Sequence, residues 1–493
     1  MLSKSMATAT PFFREFGPLL FGRPARNIFE KLKKVDAMQE LYEIFGHMFP
    51  ARLLELSDAG PNSRERIFSP RVTFWAFVAQ VLSPGSPCRE MVRRVKAWWR
   101  HTQGVEPQMS DKDSAYCQAR ARLDTDALEL ISQHLSWRLE ANALMAERWL
   151  EGRTVKIVDG TGLSMPDTPE NQQEWPQPTS QQPGCGFPAM KLVGLFSVSS
   201  GALMESTTGN LHVHESVLFR GLWSKLKKGD VLLTDRGFCS FAAMATLQKR
   251  GVDTVMRLHQ MRKADFRTGK SLGREDRLVV WRKPGQRTDV WSEEEFAALP
   301  ETLTVRMIRL HVSHPGYRTR TIVLVTTLLD PVLYPAAAIG ELYAKRWGVE
   351  LHFHQIKTLL GMDVLRCKSP EMIEIEVAIH KVAYNLVRNL MQQSAHRHSV
   401  PLPRISFKGT LDTLRSWSPT IAAASRKPRE QDRLIDEMLA IIARDLVPER
   451  PGRSEPRARK RRARNYQLLT KPRRQTGNLP RRNRPQKTRS KKA

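Results

Sequence analysis

The segment YAKRWGVELHFHQIK, residues 343–357, sets a phenol, a guanidinium, a carboxylate and an ammonium at helical spacing. Arg346, Glu350 and Lys357 follow Tyr343 by 3, 7 and 14 positions. At about 100° per residue the four side chains fall within about 60° of one another. Such a face could grip a phosphodiester with its cations while its carboxylate holds a metal ion. An ordinary solvated helix face is the alternative, although that usually alternates charge and leaves out tyrosine. Two more carboxylates, Asp159 and Asp235, directly follow the apolar runs 154–158 and 231–234. Sites in open α/β sheets gather at the carboxyl ends of strands. A lone Asp there is more often a turn former or helix cap; two of them, combined with Glu350, change that balance. Three carboxylates without His or Cys partners suit hard Mg²⁺ or Mn²⁺ rather than zinc. Two such ions about 3.5–4 Å apart clamp the attacking and leaving oxygens of a phosphoryl displacement. Asp159, Asp235 and Glu350 would then be catalytic residues and metal ligands together. Arg346 and Lys357 would hold the flanking phosphates, and Tyr343 a phosphate or sugar.

The elements that must position these groups can be read along the chain. A length of 493 residues exceeds the roughly 250–300 at which one core stops growing, so two or three domains are expected. The first 150 residues read as helical, with apolar spacing over 27–49 and 72–82, a basic helix over 89–101, and a helix begun by a Ser110/Asp113 capping box. Asp124 or Thr125 caps a longer helix reaching Trp149. Two short helices, a tight turn and a third helix with arginines resemble a helix-turn-helix DNA reader; a bundle with a basic outer face is the alternative. From 153 the texture becomes β: a strand over 154–158 ending in a sharp turn at Asp159-Gly160, a structureless Pro/Gln-rich loop over 166–188, and a hairpin over 190–208. The strand over 231–234 and alternating elements follow. Residues 260–330 contain strand pieces rich in Arg, Lys and Trp and read as a β-rich insertion. A core-like helix occupies 374–392.

A net charge of +29 implies a polyanionic partner, with nucleic acid ahead of a membrane. No apolar run has the ~18 residues of a membrane span, and the first residues lack a secretory h-region. Five scattered cysteines without a CxxC pair indicate neither a zinc ribbon nor a disulfide framework. His212 and His214 share a face of a strand-like NLHVH and read as structural, because no third ligand is evident. No P-loop or dinucleotide fingerprint occurs.

The spacing Y-x2-R-x3-E-x6-K, preceded by D-G-T and D-R-G-F, resembles the signature of bacterial insertion-sequence transposases with a DDE triad. The resemblance runs from about 153 to 391. It implies a ribonuclease-H-like α/β core over 151–395 with the β-rich insertion at about 260–330. Around it lie a helical DNA-binding region over 1–150, a helical region over 396–449 and a disordered basic tail over 450–493. It further implies Asp159, Asp235 and Glu350 as triad, Tyr343, Arg346 and Lys357 as signature residues, and two Mg²⁺ ions, with Mn²⁺ as substitute. The activity implied is cut-and-paste transposition through a hairpin on double-stranded DNA, by a dimer assembled on DNA in the bacterial cytoplasm at the nucleoid. An aromatic of the insertion would receive a flipped base; Trp281 and Trp291 are candidates, and each also fits the insertion's own small core. The competing readings are a ribonuclease-H-like nuclease or junction resolvase, and a catalytically silent DNA-binding derivative.

From Arg450 onward there are 18 Lys/Arg against one Glu, a net +17. Counterion release scales with the phosphates neutralised. Removing 450–493 is therefore expected to flatten the dependence of log Kd for DNA on log salt concentration. An unchanged slope in a salt titration would show that the tail does not touch DNA.

Overall fold

The computed structural model describes residues 41–448 except 43, 56–65, 104–108, 151, 312–320 and 425–426, together with 469, 471, 472 and 475. Most of the helix expected over 27–49 and nearly all of the basic tail lie outside the described residues.

Nine strands form one mixed sheet: β1 Val155–Ser164, β2 Ala189–Ser197, β3 Leu203–Asn210, β4 Val231–Thr234, β5 Asp253–Arg257, β6 Lys270–Gly273, β7 Asp276–Arg282, β8 Thr302–His311 and β9 Thr321–Thr326. Their order is β3-β2-β1-β4-β5-β9-β8-β7-β6. β1, β4 and β5 are parallel, and every other pairing is antiparallel. The strands of 260–330 thus continue the central sheet beyond β5. Side chains alternate between two cores as the two-residue strand period requires. Ile157, Leu233 and Val255 enter the larger cluster, while Val158, Leu232 and Met256 enter the one on the opposite face.

The described helices are α1 Pro70–Leu82, α2 Cys88–Gln103, α3 Ser114–Arg120, α4 Thr125–Ala141, α5 Pro169–Glu174, α6 Glu215–Gly221, α7 Phe241–Lys249, α8 Glu293–Ala297, α9 Ala336–Ala344, α10 Gly348–His354, α11 Pro370–Arg397, α12 Phe407–Ala423 and α13 Pro428–Arg444. The 28-residue α11 packs against α1, α4, α12 and α13, so N-terminal and C-terminal helices share the larger core with the sheet. The buried Lys381 ammonium fastens this junction, lying 3.0 Å from Glu129 of α4 and 2.8 Å from Glu205 of β3.

Several expectations are corrected. β1 does not turn at Asp159-Gly160 but continues to Ser164, because β2 supplies an antiparallel partner along that length, Asp159 opposite Gly194. The Pro/Gln-rich stretch is ordered. Thr168 caps α5, Asn171 and Trp175 are buried, and the Gln177 side chain accepts the Gly184 and Gly186 amides. Asp113, not Ser110, is the N-cap residue of α3, and Ser110 instead accepts the Lys112 amide. Asp124 does cap α4, which ends at Ala141, short of Trp149. His214 is not in a strand; its Nδ1 accepts the Ser216 amide and caps α6. Trp281 and Trp291 are 8% and 6% exposed in the second core, with Arg262 and Arg220 stacked on them at 4.0 and 4.4 Å.

The outer strands also hold the approach to α9. Arg306 on β8 is 1% exposed, makes two hydrogen bonds to Asp276 on β7 at 2.9 and 2.5 Å, and donates to the Tyr334 carbonyl at 2.6 Å. Removing one member of a buried pair strands the other's charge. Arg306→Ala is expected to lose about 3–5 kcal/mol of unfolding free energy; a loss under about 1 kcal/mol in a urea titration would mean that Asp276 stays solvated.

Candidate active site

Parallel pairing of β1 and β4 puts Val155 beside Val231 and Ile157 beside Leu233. Two residues further along each strand stand Asp159 and Asp235, which by the two-residue period face the same side of the sheet as Ile157 and Leu233. β4 ends at Thr234 while β1 runs on, so the site opens where the two part company. Each Asp also makes a local contact: Asp159 accepts the Gly160 amide at 2.8 Å, and Asp235 accepts the Gly237 amide at 2.8 Å, capping a short 3₁₀ turn over Arg236–Phe238.

The residues from Tyr343 to Lys357 come from a broken helical run rather than one regular helix. α9 is followed by a 3₁₀ turn Lys345–Trp347, then α10, then a π turn Gln355–Leu359. The changes of winding do not scatter the side chains, because Tyr343, Arg346 and Lys357 are each tied to the sheet and Glu350 meets Arg346 on the solvent side. Tyr343 is 2% exposed and its hydroxyl donates to the Thr234 carbonyl at 3.3 Å, just ahead of Asp235. Burial pushes its phenol up to about 12. Arg346 lies 3.6 Å from Asp159 and 3.9 Å from Glu350, bridging two of the three carboxylates. Its Nε is buried and has no hydrogen-bond partner. The Lys357 ammonium donates to Thr161 Oγ1 at 2.9 Å and to the Gly162 carbonyl at 2.8 Å, both on β1. Beyond it, Leu365 donates to the Ser164 carbonyl at 2.9 Å and closes the run onto the end of β1.

Asp159 is half-buried, and its carboxyl responds to that. Burial raises its carboxyl to about 6; the Gly160 amide and Arg346 oppose the rise, and the charges of Asp235 and Glu350 add to it. Asp159 therefore feels both of the other acids. Glu350, whose side chain is 66% exposed, faces solvent more than the others. Among the described residues no group of three His, Cys, Asp or Glu side chains is already gathered as a ligand nest. The donor set nonetheless suits a hard cation: oxygen ligands, one ionised only at the cost of burial, with a guanidinium as the positive charge beside them.

His352, beside Glu350, is structural. It stacks on Phe196 with ring centroids 5.2 Å apart and meets the Tyr384 hydroxyl at 3.0 Å, and burial lowers it to about 3. His354 is exposed on the same turn. Two charged residues escaped sequence reasoning. The Glu215 carboxylate lies 3.3 Å from where a Cβ on Gly160 would sit, and nothing in its local pattern announces that. Arg257 acts electrostatically on the Tyr343 hydroxyl; it ends β5 much as Asp235 follows β4, which is the signal that could have found it.

The sequence matches the family described as "Transposase DDE domain" over residues 150–386. It is 26% identical over 446 residues to the transposase InsG for insertion sequence element IS4 of Escherichia coli (strain K12), covering 89% of this chain and 97% of that protein. It is 35% identical over 72 residues to the Escherichia coli transposase for insertion sequence element IS421, covering 15% of this chain and 19% of the relative. Among solved structures, a piggyBac transposase synaptic complex with hairpin DNA aligns over 89% of this chain and 90% of that one. Its TM-score of 0.37 and 12% identity are too low to establish a common fold. The chain is thus a DDE-domain transposase, an enzyme class that cuts and transfers DNA. It belongs with the transposases of bacterial insertion sequences.

The raised Asp159 carboxyl has a definite sign in stability. The unfolded group titrates near 3.9, so between about pH 4 and pH 6 the folded chain keeps a proton that the unfolded chain has released, and stability falls as pH rises through that window. Without metal, Asp159→Asn is expected to be more stable than the parent at pH 7.5 by about 1–3 kcal/mol. The gap should close towards pH 4. Denaturant unfolding at both pH values checks this, and a variant less stable at pH 7.5 would mean that the Arg346 contact outweighs burial.

Proposed function

We propose that this transposase excises and inserts a mobile element by hydrolytic nicking and strand transfer at Asp159, Asp235 and Glu350. The observation that supports the reading is Arg346 within ion-pair distance of both Asp159 and Glu350, with the Asp235 charge acting on Asp159 from the end of β4. The supporting core is read as ribonuclease-H-like: an antiparallel β3-β2-β1 unit continued by parallel β4 and β5, with both acidic strands adjacent at its centre.

The three carboxylates would hold the divalent cations, two Mg²⁺ with Mn²⁺ as substitute. When bound, these supply charge stabilisation to the attacking and leaving oxygens of the displacement. The chain's own residues do the rest. Arg346, with its unpaired Nε, offers a planar fork suited to a phosphate arriving beside Asp159. Lys357 gives a second positive point along β1, about the reach of a neighbouring phosphate, and is held there by oxygens it can exchange for a stronger acceptor. Tyr343 locks the end of β4, so the backbone leading into Asp235 cannot drift as DNA enters. Gathering Glu350 towards the two aspartates completes the site.

Double-stranded DNA at the element ends and at the target is the substrate, and the helical region 1–150 is read as contributing to its binding. α2, with Arg89, Arg93, Arg94, Lys96 and Arg100, is the candidate contact. Two ends are paired by a dimer assembled on DNA. The test is incubation with flanked element DNA and Mg²⁺, followed by a denaturing gel. Nicked, hairpin and joined products are expected from the parent. Asp159→Ala and Glu350→Ala should each lose all of them by at least about 10³-fold while mobility-shift binding persists. Cleavage without joining would make the protein a nuclease, and loss of DNA binding in both variants would assign these acids to folding.

A further inference from the structure

A cavity of about 850 Å³ lies away from the carboxylates, between α1, α2 and α3 on one side and residues 360–380 on the other. Three of the five cysteines line it: Cys88 and Cys117, both half-buried, and Cys367, buried. Arg120, 8% exposed, reaches into this cluster. It sits 3.4 Å from the Cys88 sulfur and 2.7 Å from the Cys367 sulfur, and its buried Nε has no partner. Nothing in the DNA chemistry above uses this arrangement.

The three sulfurs are not equivalent. Cys88 is the first residue of the 16-residue α2, where the helix presents its positive end. Its sulfur also accepts from the Gln80 side-chain amide at 3.6 Å and faces the Arg120 guanidinium. These are the surroundings in which a thiolate persists. Cys117, on α3, lines the same cavity, and its thiol acts on that of Cys88. That interaction lowers Cys88 to about 6, with Arg120 and Gln80 helping against burial and Asp113. The same interaction, burial and the Cys88 charge push Cys117 up. Cys367 is pushed up by burial and by the nearby Glu376 carboxylate, which accepts its backbone amide at 2.9 Å.

We propose that this cavity is a thiol-oxidation site for hydrogen peroxide or a similar small peroxide, with Cys88 as nucleophile and Cys117 as resolving thiol. The Cys88 thiolate attacks a peroxide oxygen; an S–O bond forms, the O–O bond breaks, and hydroxide leaves. Sulfur has lost two electrons to the peroxide and stands as a sulfenic acid. Cys117 then gives up its proton and attacks that sulfur; the S–S bond forms, the S–O bond breaks, and the departing hydroxide takes the proton as water. The product is a disulfide joining the start of α2 to α3. Arg120 loses its anionic partner in the process.

Two measurements on the full chain test this. Iodoacetamide labelling, read by peptide mass spectrometry, should slow only about twofold at Cys88 between pH 8 and pH 6, against nearly 10²-fold for an unstructured cysteine peptide. A Cys88 profile parallel to that of the peptide overturns the proposal. Treatment with hydrogen peroxide should yield a Cys88–Cys117 linked peptide lighter by two hydrogens. In Cys117→Ser the linkage should vanish and dimedone should trap Cys88, while Cys367→Ser should leave the linkage intact. Absence of the linked peptide from the parent chain, or trapping at Cys185 to the same extent as at Cys88, overturns it.

Discussion

Burial and the charges of Asp235 and Glu350 act together on the Asp159 carboxyl, and the contacts around it answer that strain. Burial does most of this, and the two neighbouring acids add to it. Arg346 is the local counterweight, bridging Asp159 and Glu350 from a position the protein covers. Crowding of this kind is unfavourable for a resting protein and suited to a cation-dependent one: what raises the energy of the ionised acids is what a bound divalent ion relieves. Neighbouring contacts hold the geometry against the repulsion. Tyr343 pins the end of β4, Lys357 pins the middle of β1, and the Ser164–Leu365 contact closes the segment behind them.

Much of the site was legible because its logic is local on each strand. An apolar run followed by Asp is visible in 154–159 and in 231–235, and the parallel register that sets the two acids side by side follows once those strands are neighbours. The spacing of Tyr343, Arg346, Glu350 and Lys357 was read as a regular helix, whereas the chain there changes winding three times. Tyr343, Arg346 and Lys357 still face the sheet, because their partners on β1 and β4, rather than helical phase, decide where they point. No periodicity argument could supply those partners.

Other features were illegible for identifiable reasons. Asp-Gly is a strong turn signal, yet here it lies inside β1, because nine consecutive positions from Lys156 to Ser164 find partners on β2. Glutamine-rich sequence looks structureless by composition, but Gln177 folds its own loop by accepting two backbone amides. The strands after residue 260 were recognised as strands; their docking onto β5 depends on long-range pairs such as Met256 with Val325.

That docking has a mechanical outcome. Since β9 is hydrogen-bonded to β5 and β8 to β9, the outer strands form a buttress and not a hinged flap. Swinging them aside would sever the β5–β9 ladder and pull the Arg306 fork out of a dry interior. Under the proposed function, accommodating a duplex at the acids would therefore fall to the nucleic acid and to solvent-facing side chains such as that of Glu350 rather than to movement of these strands.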